Sequence, residues 1–155
     1  MKRRFALALL VAVGTAACRG ESAAPPLAAP SLVPPIPAEW AGRVNPLPDD
    51  GATIAAGRAA FLKTCAPCHG PEADGKGVAS TGLSPPPANF REGRRLSSKP
   101  DDFVFWRIST GISGTAMPAF SGTLSEDERW AILRFLRSLP GGRLDSDAAP
   151  HPERT

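Results

Sequence analysis

The chain has 155 residues, 18 of them proline, and sets 18 Lys and Arg against 15 Asp and Glu for a formal charge of +3. That length fits one domain of modest size, and proline this abundant and clustered excludes a compact body running from end to end. The basic excess sits in the leader: without residues 1–17, which hold Lys2, Arg3 and Arg4, the formal charge is 0, and nothing in the balance points to nucleic acid.

In chain order, the basic trio precedes an apolar run from Phe5 to Val13, then small residues and Cys18. The run is too short to span a bilayer permanently and reads as an export signal over 1–17. An exported chain folds in an oxidising space. Cys18 stands where processed bacterial lipoproteins carry the lipidated cysteine, although Thr15, Ala16 and Ala17 lack the leucine usual three residues before it. A multiply acylated cysteine would hold the protein at a membrane surface. The expected place is the periplasmic side of the bacterial inner membrane; the outer membrane and the soluble periplasm are the alternatives.

Residues 18–49 are rich in Pro and Ala and poor in large apolar groups, which reads as a tether reaching on the order of 90 Å. Trp40, within EWAGRVNPLP, is its exception: the indole either packs on the flank of the domain or anchors on a partner subunit. The folded part is expected over 50–140, with a polar, disordered tail over 141–155.

A first helix is expected near Thr53 to Thr64, with Ile54, Gly57 or Arg58, and Phe61 on one face. Gly57 costs that helix about 1 kcal/mol relative to alanine unless another backbone approaches closely there. A second helix starts after Ser98, with Pro100 in its first turn and Asp101 and Asp102 near its positive end. It turns Phe103, Trp106, Val104 and Ile108 inward and stops by Gly111. The last helix has capping-box spacing at Ser125 and Glu128, then a stripe of Ile132, Phe135, Leu136 and Leu139 before Pro140 and Gly141. Loops join these helices, and no segment alternates as a strand does. So thin a core would gain from burying a cofactor. Arg91, Arg94, Arg95 and Lys99 form a local basic patch, either a solvated loop or a docking site for an acidic partner.

Chemistry concentrates in CAPCHG, residues 65–70. Structural zinc wants four ligands, and beyond Cys65, Cys68 and His69 the mature chain offers only Cys18 and His151 at its two ends. A redox dithiol belongs with a βαβ pattern that is absent. The third use is covalent haem: two thioether bonds from C-x-x-C, with the adjacent histidine as an axial ligand. The opposite face of the iron then needs an occupant. Met117, 48 residues beyond His69, is the only methionine once the leader is gone, and it lies in a loop before Pro118. Ordinary packing of Met117, His151 as rival ligand, and an open iron are the alternatives.

Residues 50–140 resemble a small class I cytochrome c domain, an all-α fold: CAPCHG resembles the haem-attachment motif, GTAMPAF the axial-methionine loop, and EDERWAILRFLRSL the terminal helix. The resemblance implies one covalent haem c on Cys65 and Cys68, His69 proximal and Met117 distal. It implies that Gly57 and Phe61 cross the last helix near Phe135. A proline carbonyl after the motif is expected to accept the His69 Nδ1 proton, with Pro85, Pro86 and Pro87 all eligible. Trp106 is a candidate for an indole bond to a haem propionate or for core packing, and Trp130 also matches an aromatic position.

These features imply a one-electron carrier of a respiratory or photosynthetic chain, with a redox protein as donor and another as acceptor and no acid, base or nucleophile of its own. The leader, the Pro-rich lead-in with NPLP and the single haem also resemble the tethered monohaem subunit of the quinol-oxidising alternative complex III. A haem sensor or peroxidase would require Met117 to leave the iron readily.

Overall fold

The computed structural model describes residues 35–92 and 94–143. The export signal, Cys18, the first part of the tether, His151 and most of the tail lie outside the described residues. Among the described residues the structure is wholly helical: α1 is Gly51–Thr64, α2 Ala66–His69, α3 Asp101–Thr110 and α4 Glu126–Ser138. None of them is long and apolar enough to cross a membrane.

Each start has a local cause. Asp50 caps α1, its carboxylate accepting the Thr53 N–H at 2.8 Å. Ser125 and Glu128 form the full capping box of α4, with reciprocal bonds of 3.1 and 2.8 Å. Pro100 precedes α3 and supplies no side-chain cap, while Asp101 and Asp102 stand in the first turn. The short α2 continues the chain after α1 with Pro67 in its first turn, so the cysteine pair and His69 sit on a helical turn of their own.

The core lies where α1 crosses α4. Phe61 and Phe135 meet with ring centroids 5.2 Å apart, and a Cβ on Gly57 would overlap the Ala131 carbonyl of α4. The helix backbones touch there because position 57 has no side chain. Ile132 and Leu133 of α4 are also fully buried, each such apolar side chain contributing roughly 1.5–3 kcal/mol. Phe105 of α3 stacks on Trp130 of α4 at 3.7 Å and 5°.

The segment before α1 departs from the tether expected up to residue 49. Asn45 is buried and donates from Nδ2 to the Trp130 carbonyl at 3.1 Å. The Gly42 N–H donates to Asp102 at 2.7 Å, and the Leu47 carbonyl accepts two bonds from Arg134. Trp40 lies 5.9 Å from Phe105, under the Arg43 guanidinium. Residues 40–47 are therefore a strap along α3 and α4, and Trp40 takes the flank position. Proline content hides this strap, which is held by hydrogen bonds together with Trp40 and Leu47 packed against the core.

Candidate haem-binding cleft

A cavity of about 280 Å³ opens between α2, the 83–99 loop, α3 and the loop after α3. Cys65, Cys68, His69 and Met117 all line it, and most of the remaining lining is apolar, including Leu96, Phe103, Val104, Ile108 and Leu136. Four residues separated by up to 52 positions in sequence are thus brought to one space.

Local structure sets each of them. Cys65 ends α1, its N–H bonding to the Phe61 carbonyl, while the Cys68 and His69 N–H groups bond back to the Cys65 carbonyl at 3.1 and 2.9 Å. One helical turn therefore carries both thiols and the imidazole. Both thiols are free. Burial, with Cys68 adding to it, pushes the Cys65 thiol up to about 12. Burial also pulls His69 below its usual range, opposed by its bond to the Ala88 carbonyl, so the imidazole is kept neutral.

That bond corrects the sequence expectation. His69 Nδ1 lies 3.1 Å from the carbonyl oxygen of Ala88, not of Pro85, Pro86 or Pro87. A carbonyl only accepts, so Nδ1 carries the proton and Nε2 keeps its lone pair for a metal. All three prolines still line the cavity. The acceptor falls one residue beyond them, a register that composition does not encode. Phe90 stacks on the imidazole at 4.8 Å and 25°.

Met117 is half-buried in a tight loop. Its carbonyl accepts the Ile112 N–H at 3.1 Å and its N–H donates to Thr115 Oγ1 at 3.2 Å. Gly111 ends α3 at φ 72°, and a Cβ there would press on the Met117 and Pro118 backbone. Only glycine satisfies both the left-handed turn and that approach. Phe120 and Ser121 then bond back to Ile108 and Ser109, closing the loop over α3.

Trp106 is not among the lining residues. It is buried in α3 and packs edge-on to Phe103 at 5.7 Å, as a core side chain does. The polar side of the cleft comes from Arg95, Lys99 and Arg107 instead. Lys99 and Arg107 lie 5.5 and 5.3 Å from the Phe103 ring centroid. Two of these cations belong to the basic patch seen in the sequence, whereas Arg107 gave no sequence signal. Arg91, also of the patch, pairs with Glu72 at an exposed site.

The residues fit a covalent haem on their chemistry: two thiols and a neutral imidazole on one turn, a thioether lining the same apolar space, and cations for the ring's carboxylates. Comparison with known proteins finds a cytochrome-related family. A family model described as "Cytochrome C oxidase, cbb3-type, subunit III" matches residues 52–136. The Cbb3-type cytochrome c oxidase subunits FixP of Rhizobium etli and FixPc of Rhizobium leguminosarum bv. viciae are each 30% identical over 95 residues. Those residues are 61% of this chain but 31% of each relative, so the chain spans about a third of the length of the curated relatives it matches. A chain of the Kuenenia stuttgartiensis reducing HAO-like protein complex is similar in fold, with a TM-score of 0.53 and 32% identity, over 60% of this chain and 46% of that one.

Proposed function

The chain belongs to the cytochrome c oxidase, cbb3-type, subunit III family, and on that premise we propose that it passes single electrons through one covalently held haem as a fixed subunit of a larger redox assembly. The observation that carries the reading is the convergence of Cys65, Cys68, His69 and Met117 on one apolar cavity. The relatives are named as oxidase subunits and the structural neighbour comes from a complex, which favours the tethered-subunit reading over a mobile carrier.

In this reading Cys65 and Cys68 would hold the haem through their sulfurs, and His69 and Met117 would be the protein's ligands to its iron. The haem, once bound, supplies the one-electron chemistry. The chain does the rest. The Ala88 carbonyl orients the His69 ring and strengthens Nε2 as a donor. The Gly111 turn and the Thr115 bond hold Met117 in its loop. The apolar lining would exclude water and, with the Met117 thioether, would favour the reduced form. No side chain has to move a proton or attack a substrate, so the chain is a non-catalytic part of an oxidoreductase. Export and lipidation at Cys18 belong to the same proposal, supported by the basic, apolar and small-residue order of the leader.

The test is ligand replacement in protein matured with haem. Met117→Ala should abolish the weak long-wavelength sulfur-to-iron absorption of the oxidised form and lower the reduction potential. An unchanged spectrum and potential would remove Met117 from the iron. Purification from membranes in mild detergent should give a fixed stoichiometry with other redox subunits; a free membrane-bound protein would favour the carrier.

A further inference from the structure

We propose that Arg137 is the positioning residue of the cleft: it does not line the cavity itself but sets the spacing of the two walls that do. The proposal rests on the haem reading above and extends it to a residue of the terminal helix given no role there.

Arg137 lies in the last turn of α4, beside Leu136, which does line the cleft. Its side chain is largely covered, 11% exposed. Nε donates to Asp101 at 2.9 Å, one terminal nitrogen to the carbonyls of Leu96 and Gly142 at 2.9 Å each, and the other to the Lys99 carbonyl at 2.6 Å. A planar fork with several fixed N–H directions can hold four acceptors at once, which an ammonium cannot do in the same geometry.

Those acceptors belong to two walls. Leu96 and Lys99 line the cavity and are closed into a turn by the Lys99 N–H bond to the Leu96 carbonyl. Asp101 opens α3, whose Pro100 offers no side-chain cap, so the start of the helix carrying Phe103, Val104 and Ile108 is fixed from α4 instead. On the other side Gly142 follows Gly141, which lies directly against the backbone of Phe90 and Arg91. Phe90 in turn stacks on His69. One part-buried cation therefore ties the 96–99 turn and α3 on one side, and the support of the proximal imidazole on the other, to the end of α4.

Loosening this node should open the cleft before it unfolds the domain. The experiment compares haem-loaded wild type, Arg137→Lys, Arg137→Gln and a core control, Ile132→Val, which weakens α4 packing away from the cleft. Thermal unfolding gives the stability of each. Imidazole added to the oxidised protein reports how readily a foreign ligand enters, and the reduction potential reports the surroundings of the iron. Both Arg137 variants should bind imidazole several-fold more tightly and have a lower potential, with Lys less affected than Gln. Ile132→Val should lose stability with neither change. Imidazole affinity and potential at wild-type values in the Arg137 variants, or altered equally by Ile132→Val, would overturn the positioning role. If Arg137→Gln does not fold, Arg137→Lys decides alone. A wild-type protein without haem would refute the function reading itself, an outcome distinct from either.

Discussion

The contact of α1 with α4 turns on one missing side chain, and Gly57→Ala measures it. In an open helix the substitution gains about 1 kcal/mol of helix propensity. Here the new methyl would overlap the carbonyl carbon and oxygen of Ala131, backbone atoms inside α4 with no rotamer to yield. Overpacking a tight core costs about 1–3 kcal/mol, and a backbone obstacle belongs at the upper end or beyond. Net of the propensity gain, the loss should be about 2 kcal/mol. For a domain of this size that is a fall in Tm of roughly 8–16 °C. Gly51→Ala is the internal control: it lies in the first turn of α1 with nothing near a new Cβ, and should be neutral or slightly stabilising. Thermal unfolding of the haem-loaded protein by circular dichroism reads both. A Gly57→Ala protein as stable as wild type would refute the close crossing.

Other consequences follow from the same bonds. Asn45→Ala removes the buried bond to the Trp130 carbonyl and the bond from the Leu47 N–H to Asn45 Oδ1, and should cost about 1–3 kcal/mol by denaturant unfolding. A protein starting at residue 49 should lose at least as much and expose Trp130 to a fluorescence quencher; unchanged quenching would mean the strap does not cover α3 and α4. By contrast Glu72→Gln, which breaks only the exposed pair with Arg91, should change stability by less than about 1 kcal/mol. Asp50 and Glu128 are held below the ordinary carboxylate range, first by the backbone N–H bonds they accept from Thr53 and Ser125. Their contribution is fully present above the unfolded-state carboxylate pKa and is lost as pH falls through the lowered values. An acid titration of stability should therefore flatten in Asp50→Asn, Glu128→Gln protein.

Much of the helical frame was legible because its signals are local. Ser125 and Glu128 announce the start of α4, and both bonds of the box form. The stops at Gly111 and Pro140 were equally plain. Phe105, wholly buried, was not singled out because α3 is covered on several sides, so Val104, Phe105, Trp106 and Ile108 are all buried and no single face stands out. Part of that cover is the strap, whose apolar residues Trp40 and Leu47 are spaced too irregularly to mark it. In the cleft, motif spacing located Cys65, Cys68 and His69, and scarcity located Met117. The Ala88 acceptor depended on the register of a three-proline run, and Arg107 and Arg137 on which side of a helix meets a distant turn. Such relations arise only when the chain is folded.

The claim beneath all of this is a haem held through two sulfurs on one turn of helix. The most direct measurement is the intact mass and thiol count of the exported protein, made in a host that matures c-type cytochromes. The account predicts a coloured protein heavier by one haem, with neither Cys65 nor Cys68 open to alkylation. A colourless product of the bare polypeptide mass, with both thiols alkylated, would contradict it.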